Sequence, residues 1–323
     1  MPDRFSGRAT DAAPHGADGI IRHGATSFYG APVVEDLTNL QADVIFLGVP
    51  IDVTTNDRPG ARFGPGAVRD ASMRYHSPFQ NGWFDVERGE YILRGVRMAD
   101  LGDADIRTVG ILENFETITR AARRARSLGA FPVFVGGDHA ITFPLVRAFD
   151  DQPLFIVQFD AHQDYTDEKY GVRYSHDNQM RRCHELPHVA GIATVGLRGV
   201  LEWVEPWEAA VRNGVHLVSA ERVLREGADA VLDGIPLAGQ RVYLTIDIDV
   251  LDPAGAPGTG YPEPGGLSYY HLRQLAMEVA RRGRLVAFDM AEVNPVYDVS
   301  GVTQRIAARL ILDVLSAAIS SRE

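Results

Sequence analysis

The chain has 323 residues, of which 45% are hydrophobic and 23% are charged, and its formal net charge is −11. These proportions are ordinary for a soluble globular protein with a large core, and the acidic balance argues against nucleic-acid binding. Cys183 is the only cysteine, which excludes an intrachain disulfide and a zinc site built from thiolates.

The sequence lacks the apolar segments that mark membrane-spanning and secreted proteins. It has no run of about 18 apolar residues, the length that a spanning helix needs. Its first residues also lack the apolar core of a signal peptide. We therefore expect a cytoplasmic protein without a membrane partner.

From residue 42 onward, segments typical of strands alternate with segments typical of helices. Strands are predicted at residues 43–48, 154–157, 192–197, 215–218 and 285–290, with two more within 134–139 and 243–249. Helices are predicted over residues 111–128, 221–225, 268–282 and 302–320. The alternation predicts the α/β class, a single-domain, three-layer α/β/α fold with a mostly parallel central sheet. Residues 1–30 show no clear period and predict an N-terminal arm or cap, which leaves residues 31–323 as the domain.

Three residues of the types that commonly bind metals follow the apolar run at residues 154–157. They are Asp160, His162 and Asp164. Alternate side chains of a strand point the same way, so Asp160 and His162 can reach one centre, whereas Asp164 requires the chain to turn after the strand.

Two further predicted strands end in acidic or histidine side chains, the first in His139 and the second in Asp247 and Asp249. Ligands of open α/β sheets bind beyond the carboxyl ends of the strands. With three such ends side by side, the six ligands are too many for one small cation. The pattern therefore indicates two metal ions.

These segments resemble the ureohydrolase family, which includes arginases, agmatinases and guanidino-acid hydrolases. The resemblance covers about residues 40–320 and rests on five motifs: Gly136-Gly137-Asp138-His139, Asp160-Ala161-His162-Gln163-Asp164, Asp247-Ile248-Asp249-Val250-Leu251-Asp252-Pro253, Pro257-Gly258-Thr259-Gly260 and Ala291-Glu292-Val293-Asn294-Pro295. The loop Arg58-Pro59-Gly60-Ala61-Arg62-Phe63-Gly64-Pro65 is more similar to agmatinases and guanidino-acid hydrolases than to arginases.

The resemblance implies a binuclear centre that two carboxylates bridge. One metal would be held by His139, Asp160, Asp164 and Asp247, and the second by Asp160, His162, Asp247 and Asp249. Mn²⁺ is the usual metal of the family, although carboxylates with imidazole also suit Ni²⁺, Co²⁺ or Zn²⁺. The resemblance further implies a homo-oligomer, either a trimer or a hexamer.

The same resemblance implies hydrolysis of a guanidino compound to urea and an amine. Because water is a poor nucleophile and a guanidinium carbon a poor electrophile, two cations are needed to supply hydroxide. Glu292 would pair with the guanidinium, and Asp164 would orient the hydroxide and pass a proton to the departing amine. His176 would be the proton shuttle at the pocket mouth.

The chain departs from the family pattern near the predicted pocket mouth. Asp177 and Asn178 stand where relatives commonly have Gly and Thr, and Tyr261 stands where Thr is common. Asp177 can attract a cationic tail, which favours agmatine and its conversion to putrescine and urea. Alternatively, Asp177 and Tyr261 narrow the pocket for a short guanidine. A carboxylate tail would need a basic partner, for which the candidates are Arg181, Arg182 and Arg198.

Three alternatives stay open on the sequence. In the first, the mechanism is the same and the substrate is 4-guanidinobutanoate, 3-guanidinopropanoate or guanidine itself instead of agmatine. A zinc deacetylase has the same broad architecture but holds one metal with fewer ligands. A catalytically silent subunit would bind metal yet release no urea.

Overall fold

The computed structural model describes residues 18–21, 26–34, 36–76 and 82–320. The strands of these residues are β1 (Ile20–Ile21), β2 (Val44–Val49), β3 (Trp83–Asp85), β4 (Glu90–Ile92), β5 (Met98–Ala104), β6 (Phe131–Gly136), β7 (Leu154–Phe159), β8 (Val189–Leu197), β9 (His216–Ser219), β10 (Arg241–Asp247) and β11 (Arg284–Ala291). Their α-helices are α1 (Gly64–Ser72), α2 (Ile111–Arg126), α3 (Thr142–Val146), α4 (Gln179–His184), α5 (Glu205–Arg212), α6 (Ala220–Leu232), α7 (Tyr269–Arg282) and α8 (Val302–Ser320).

The central sheet confirms the predicted fold class. Its strand order is β1-β5-β2-β6-β11-β10-β7-β8-β9. Only the short β1 runs antiparallel to its neighbour, and every other neighbouring pair is parallel. The strands β3 and β4 form a separate antiparallel hairpin.

Helices cover both faces of the sheet, because the strands are apolar on both sides. On one face, Phe46 and Leu244 belong to a core shared with α1, α6, α7 and α8. On the other face, Leu47 and Ile156 belong to a second core that includes residues of α2, α3 and α4. The result is the predicted three-layer arrangement.

Most predicted elements are present within a few residues of their expected bounds. The helix predicted over residues 302–320 matches α8, and Ser268 is the N-cap of α7, where its hydroxyl accepts a hydrogen bond from the backbone of His271. The strand β5 was not predicted, because it carries Asp100 and Asp103. Both carboxylates are buried and pair with Arg69 of α1.

The described part of the predicted N-terminal arm lies against the domain. Ile20 and Ile21 pair with β5, and the rings of Phe28 and Tyr29 are buried in the first core. The other residues of the arm, 1–17 and 22–25, lie outside the described residues, so the division of the chain at residue 30 stays a prediction.

The strand order brings the predicted site residues to one edge of the sheet. Among the ligand-bearing strands, β10 and β7 are direct neighbours, whereas β11 lies between β6 and β10. The three predicted strand ends are therefore not consecutive. Because β11 is inserted there, Glu292 at its end enters the middle of the site.

Candidate active site

Three of the predicted ligands, all aspartates, converge on the ring of a fourth, His139. Its Nδ1 lies 2.9 Å from Oδ2 of Asp160, 3.1 Å from Oδ2 of Asp164 and 3.1 Å from Oδ2 of Asp247. Despite these distances, Nδ1 forms no hydrogen bond within the described residues. One imidazole nitrogen and three carboxylate oxygens thus surround a common point, an arrangement suited to a divalent cation.

A second group lies on the other side of Asp160. Nδ1 of His162 is 3.0 Å from Oδ2 of Asp249 and 3.5 Å from Oδ1 of Asp160. Asp160 therefore directs Oδ2 to the first group and Oδ1 to the second. The atoms of each trio, His139 with Asp160 and Asp247 and Asp160 with His162 and Asp249, lie within 4.8 Å of one another.

Short turns beyond the strands position these side chains. His139 begins the 3-10 helix His139–Ile141 directly after β6, and Asp249 lies in the 3-10 helix Ile248–Val250 directly after β10. Each turn is capped by the preceding aspartate, Asp138 or Asp247, whose side chain accepts a backbone hydrogen bond from the turn. Asp247 thus caps its turn with one oxygen, Oδ1, and faces His139 with Oδ2.

The buried charges of the site perturb one another strongly. Burial, and next the negative charge of Asp249, raise the pKa of Asp247 well above its usual range. Burial and Asp160 raise the pKa of Asp164 to about 7. Burial alone would lower the pKa of His139, but the surrounding carboxylates raise it well above its usual value. Divalent cations would relieve this repulsion, so the donor set fits two metal ions.

Backbone strain marks two of the site carboxylates. Asp164 has φ 48° and Glu292 has φ 61°, both in the left-handed region that residues other than glycine rarely occupy. Such strain is concentrated at functional sites, where the surrounding structure enforces it. Here it turns the chain sharply after β7 and β11 and so directs both carboxylates into the site.

Glu292 has one engaged and one unengaged carboxylate oxygen. Oε1 accepts a hydrogen bond of 2.9 Å from the backbone N–H of His139. Oε2 is buried and has no hydrogen-bond partner among the described residues. Burial, and next the charge of Asp138, raise the pKa of Glu292 well above its usual range. A buried carboxylate with a free oxygen is suited to receive a cationic planar group.

His176 is buried and lies beside Glu292. Its Nδ1 is 3.8 Å from Oε1 of Glu292, and its backbone N–H donates to the hydroxyl of Thr54. The next residue, Asp177, lies 3.0 Å from Nε2 of His176 and 3.2 Å from Nζ of Lys169. The carboxylate of Asp177 is therefore already paired. Asn178 is buried and donates to the Thr166 carbonyl within the same loop.

Tyr261 and the three candidate arginines complete the set of residues predicted to contact the substrate. The ring of Tyr261 packs edge-on against His162, with ring centroids 5.2 Å apart. The three arginines considered for a carboxylate tail are engaged with other groups. Arg182 is buried and pairs with Asp167 and Glu185, Arg181 stacks on Tyr165, and Arg198 donates to the backbone carbonyls of Asp249 and Glu263.

Sequence reasoning missed the uncharged side chains that hold the carboxylates in place. Gln158 donates to Oδ2 of Asp160 while its own oxygen accepts from Thr194, which fixes the orientation of its amide. Gln179 donates to Oδ2 of Asp164. Gln158 precedes Asp160 by two residues on a strand, and this spacing was the available signal.

Sequence reasoning also missed Lys169, although the composition held a signal. It is the only lysine of the chain, and the remaining basic side chains are arginines. The structure places this lysine on Asp177, where its Nζ also lies 5.7 Å from the ring of Trp203. The sequence alone gave no sign that Asp177 is the partner of Lys169.

Fold and site together define an α/β protein with paired Asp/His clusters at the carboxyl edge of its sheet. Residues 42–316 match the Arginase family. The chain is 34% identical over 301 residues to the guanidinopropionase of Pseudomonas aeruginosa, which covers 90% of this chain and 91% of that protein. It is 32% identical over 284 residues to the mitochondrial guanidino acid hydrolase of Homo sapiens, which covers 85% of this chain and 78% of that protein. The chain belongs to the arginase family.

A solved structure supports the same assignment. The crystal structure of a hypothetical agmatinase from Burkholderia thailandensis superposes with a TM-score of 0.81 at 31% sequence identity, and the match covers 93% of this chain and 92% of that chain. In the described part of the chain, no helix is long and apolar enough to cross a membrane.

Proposed function

We propose that this chain is a binuclear-metal hydrolase that cleaves a guanidino compound to urea and an amine. One observation carries the proposal. Asp160 directs its two oxygens to two separate Asp/His groups, with the unengaged oxygen of Glu292 in the same buried site. Membership of the arginase family, with relatives named as guanidino-compound hydrolases, supports it.

The metal ligands in this proposal are those expected from the sequence. His139, Asp160, Asp164 and Asp247 would hold the first ion, and Asp160, His162, Asp247 and Asp249 the second. When bound, two divalent cations lower the pKa of water and supply hydroxide at neutral pH. We expect Mn²⁺, and the donor set also accommodates Ni²⁺, Co²⁺ or Zn²⁺.

The protein groups bind the substrate and move its protons. Glu292 would accept hydrogen bonds from the guanidinium with Oε2, which holds the planar group in the site. Asp164, held by the amide of Gln179, would take a proton from the nucleophile and deliver it to the nitrogen that leaves. His176 would exchange protons between this site and solvent.

The contacts of Lys169 favour a guanidino acid as the substrate. Asp177 is already paired with Lys169 and His176, so it is not a free anion for the ammonium group of agmatine. The neutral pair leaves no net negative charge beside His176, and the carboxylate of 4-guanidinobutanoate or 3-guanidinopropanoate can compete with Asp177 for the ammonium group of Lys169. Agmatine is the second candidate, because the chain superposes on the hypothetical agmatinase from Burkholderia thailandensis with a TM-score of 0.81.

The test is urea release by the metal-reconstituted protein. The purified chain, loaded with Mn²⁺, Ni²⁺, Co²⁺ or Zn²⁺, is assayed against guanidino acids, agmatine, arginine and guanidine. We expect urea from a guanidino acid with the highest kcat/KM and two metal ions per chain. A single ion per chain would indicate the deacetylase, and bound metal without urea from any substrate would indicate a silent subunit.

Assembly and cellular location belong to the same proposal. Light scattering of the purified chain tests the expected homo-oligomer, for which a trimer and a hexamer are the two candidate masses. Localisation of a tagged chain by microscopy or cell fractionation tests the expected cytoplasmic location.

A further inference from the structure

Asp289 is a fully buried carboxylate that the proposed mechanism does not use. It lies on β11, three residues before Glu292, and is 0% exposed. Within the described residues, no arginine or lysine forms an ion pair with it. Hydroxyl groups surround it instead. Oδ2 accepts from Tyr243 at 2.7 Å and from Thr142 at 3.1 Å, and Oδ1 accepts from Thr245 at 2.7 Å.

The hydroxyl of Thr245 links this carboxylate to His139. Its Oγ1 lies 2.7 Å from Oδ1 of Asp289 and 2.8 Å from Nε2 of His139, and all three side chains are buried. The hydroxyl of Thr142 lies 3.0 Å from that of Thr245 and gives its own proton to Oδ2 of Asp289. An ionised carboxylate only accepts hydrogen bonds, so the single hydroxyl proton of Thr245 points to the nearer Oδ1 of Asp289. The oxygen of Thr245 must then accept, and Nε2 of His139 must carry the proton.

This assignment determines what the other nitrogen of His139 can do. With the proton on Nε2, Nδ1 of the neutral ring presents a lone pair. Nδ1 is the atom that faces the carboxylates of Asp160, Asp164 and Asp247. The opposite tautomer would place a proton at that point and prevent metal binding.

We propose that Asp289 is a positioning residue which, through the hydroxyl of Thr245, fixes His139 in its Nε2–H tautomer and presents Nδ1 to the first metal ion. The inference rests on the proposed function, since it takes His139 as a metal ligand. It adds a hydrogen-bonded series of three residues, Asp289 on β11, Thr245 on β10 and His139 in the turn after β6, and these three strands are consecutive in the sheet.

The decisive variant is Thr245→Val, which keeps the shape of the side chain and removes the hydroxyl. Titration calorimetry with Mn²⁺ measures the affinity of each site on the metal-free full chain. We expect the affinity for the first metal ion, which His139 would hold, to fall by about 10- to 100-fold, the usual effect of losing such a hydrogen-bond partner. Thr245→Ser, which retains the hydroxyl, is expected to restore affinity close to that of the wild type. Circular dichroism verifies that each variant is folded.

A second variant and a spectroscopic measurement keep the proposal testable if Thr245→Val fails to fold. Asp289→Asn removes the charge and allows the amide to donate, so we expect it to weaken the same ion as Thr245→Val. In ¹⁵N-histidine spectra of the diamagnetic Zn²⁺-loaded protein, the signal that His139→Asn removes should report a proton on Nε2. Wild-type metal affinity in both Thr245→Val and Asp289→Asn, or a proton on Nδ1 of His139, would overturn the inference.

The outcomes separate this inference from the proposed function. If the wild type binds two ions but releases no urea, the proposed function fails while the affinity comparison still stands. If urea is released and Thr245→Val binds metal like the wild type, the inference fails and the proposed function stands.

Discussion

Gly260 faces the unengaged oxygen of Glu292 so closely that a Cβ at residue 260 would lie 2.8 Å from Oε2. Real Cβ atoms rarely approach an oxygen so closely, and the buried Glu292 has little space to move away. Oε2 is the oxygen proposed to bind the guanidinium, and the absence of a side chain at residue 260 leaves the space beside it free of a Cβ.

The first prediction concerns the variant Gly260→Ala. The added methyl group should obstruct the guanidinium without reaching the metal ligands, so we expect kcat/KM to fall by about 10- to 100-fold with two ions retained per chain. Gly255→Ala is the matched control, since its Cβ would lie 3.6 Å from its nearest neighbour, the carbonyl of Asp252. Equal activity of the two variants would contradict the proposed position of the guanidinium.

The second prediction concerns the variant Asp249→Asn. Asp249 contacts His162 with Oδ2 and accepts from the backbone N–H of Ala161 with Oδ1. An amide oxygen preserves that hydrogen bond but is a weaker metal ligand than a carboxylate. We expect the variant to fold, to bind about one ion per chain by elemental analysis, and to lose most of its urea release. Two tightly bound ions with full activity would refute the assignment of Asp249.

The clustering of Asp and His side chains at the strand ends was predictable because its cause is local. An apolar strand followed by Asp-x-His or Asp-x-Asp presents alternate side chains on one side, and parallel strands end at a common edge. Asp160, His162, Asp247 and Asp249 are read directly from this pattern, and the structure brings each of them into one of two clusters.

Other features were not predictable because their cause is distant in the sequence. The insertion of β11 between β6 and β10 is set by packing across the whole sheet. The carboxylate of Asp289 resembles a polar interruption of a strand until Thr245, 44 residues away, supplies its proton. The left-handed backbone of Glu292 likewise has no sequence signal, since such strain is imposed by the surrounding fold.

The third prediction concerns stability and the buried ion pair between Arg69 and Asp100, whose charged residue on β5 kept this strand from being predicted. Arg69 and Asp100 are 5% and 1% exposed, so Arg69→Met would remove the cation that pairs with the buried carboxylate of Asp100. We expect the free energy of unfolding to fall by about 3–5 kcal/mol, measured by urea denaturation. The control is Arg97→Met, which breaks an exposed pair with Asp43 and should cost about 0–1 kcal/mol. Equal losses in both variants would contradict this reasoning.

The fourth prediction concerns the variant Lys169→Met and the choice of substrate. The change removes the only lysine and leaves the carboxylate of Asp177 without that partner. We expect kcat/KM to fall for guanidino acids and to rise for agmatine, because the local charge becomes more negative. The matched control is Arg173→Met, which removes a positive charge from the same loop, where Arg173 pairs with Asp167 instead. A uniform loss for every substrate would mean that Lys169 supports the loop without selecting the tail. A larger shift in the Arg173→Met control would transfer the selective role to that residue.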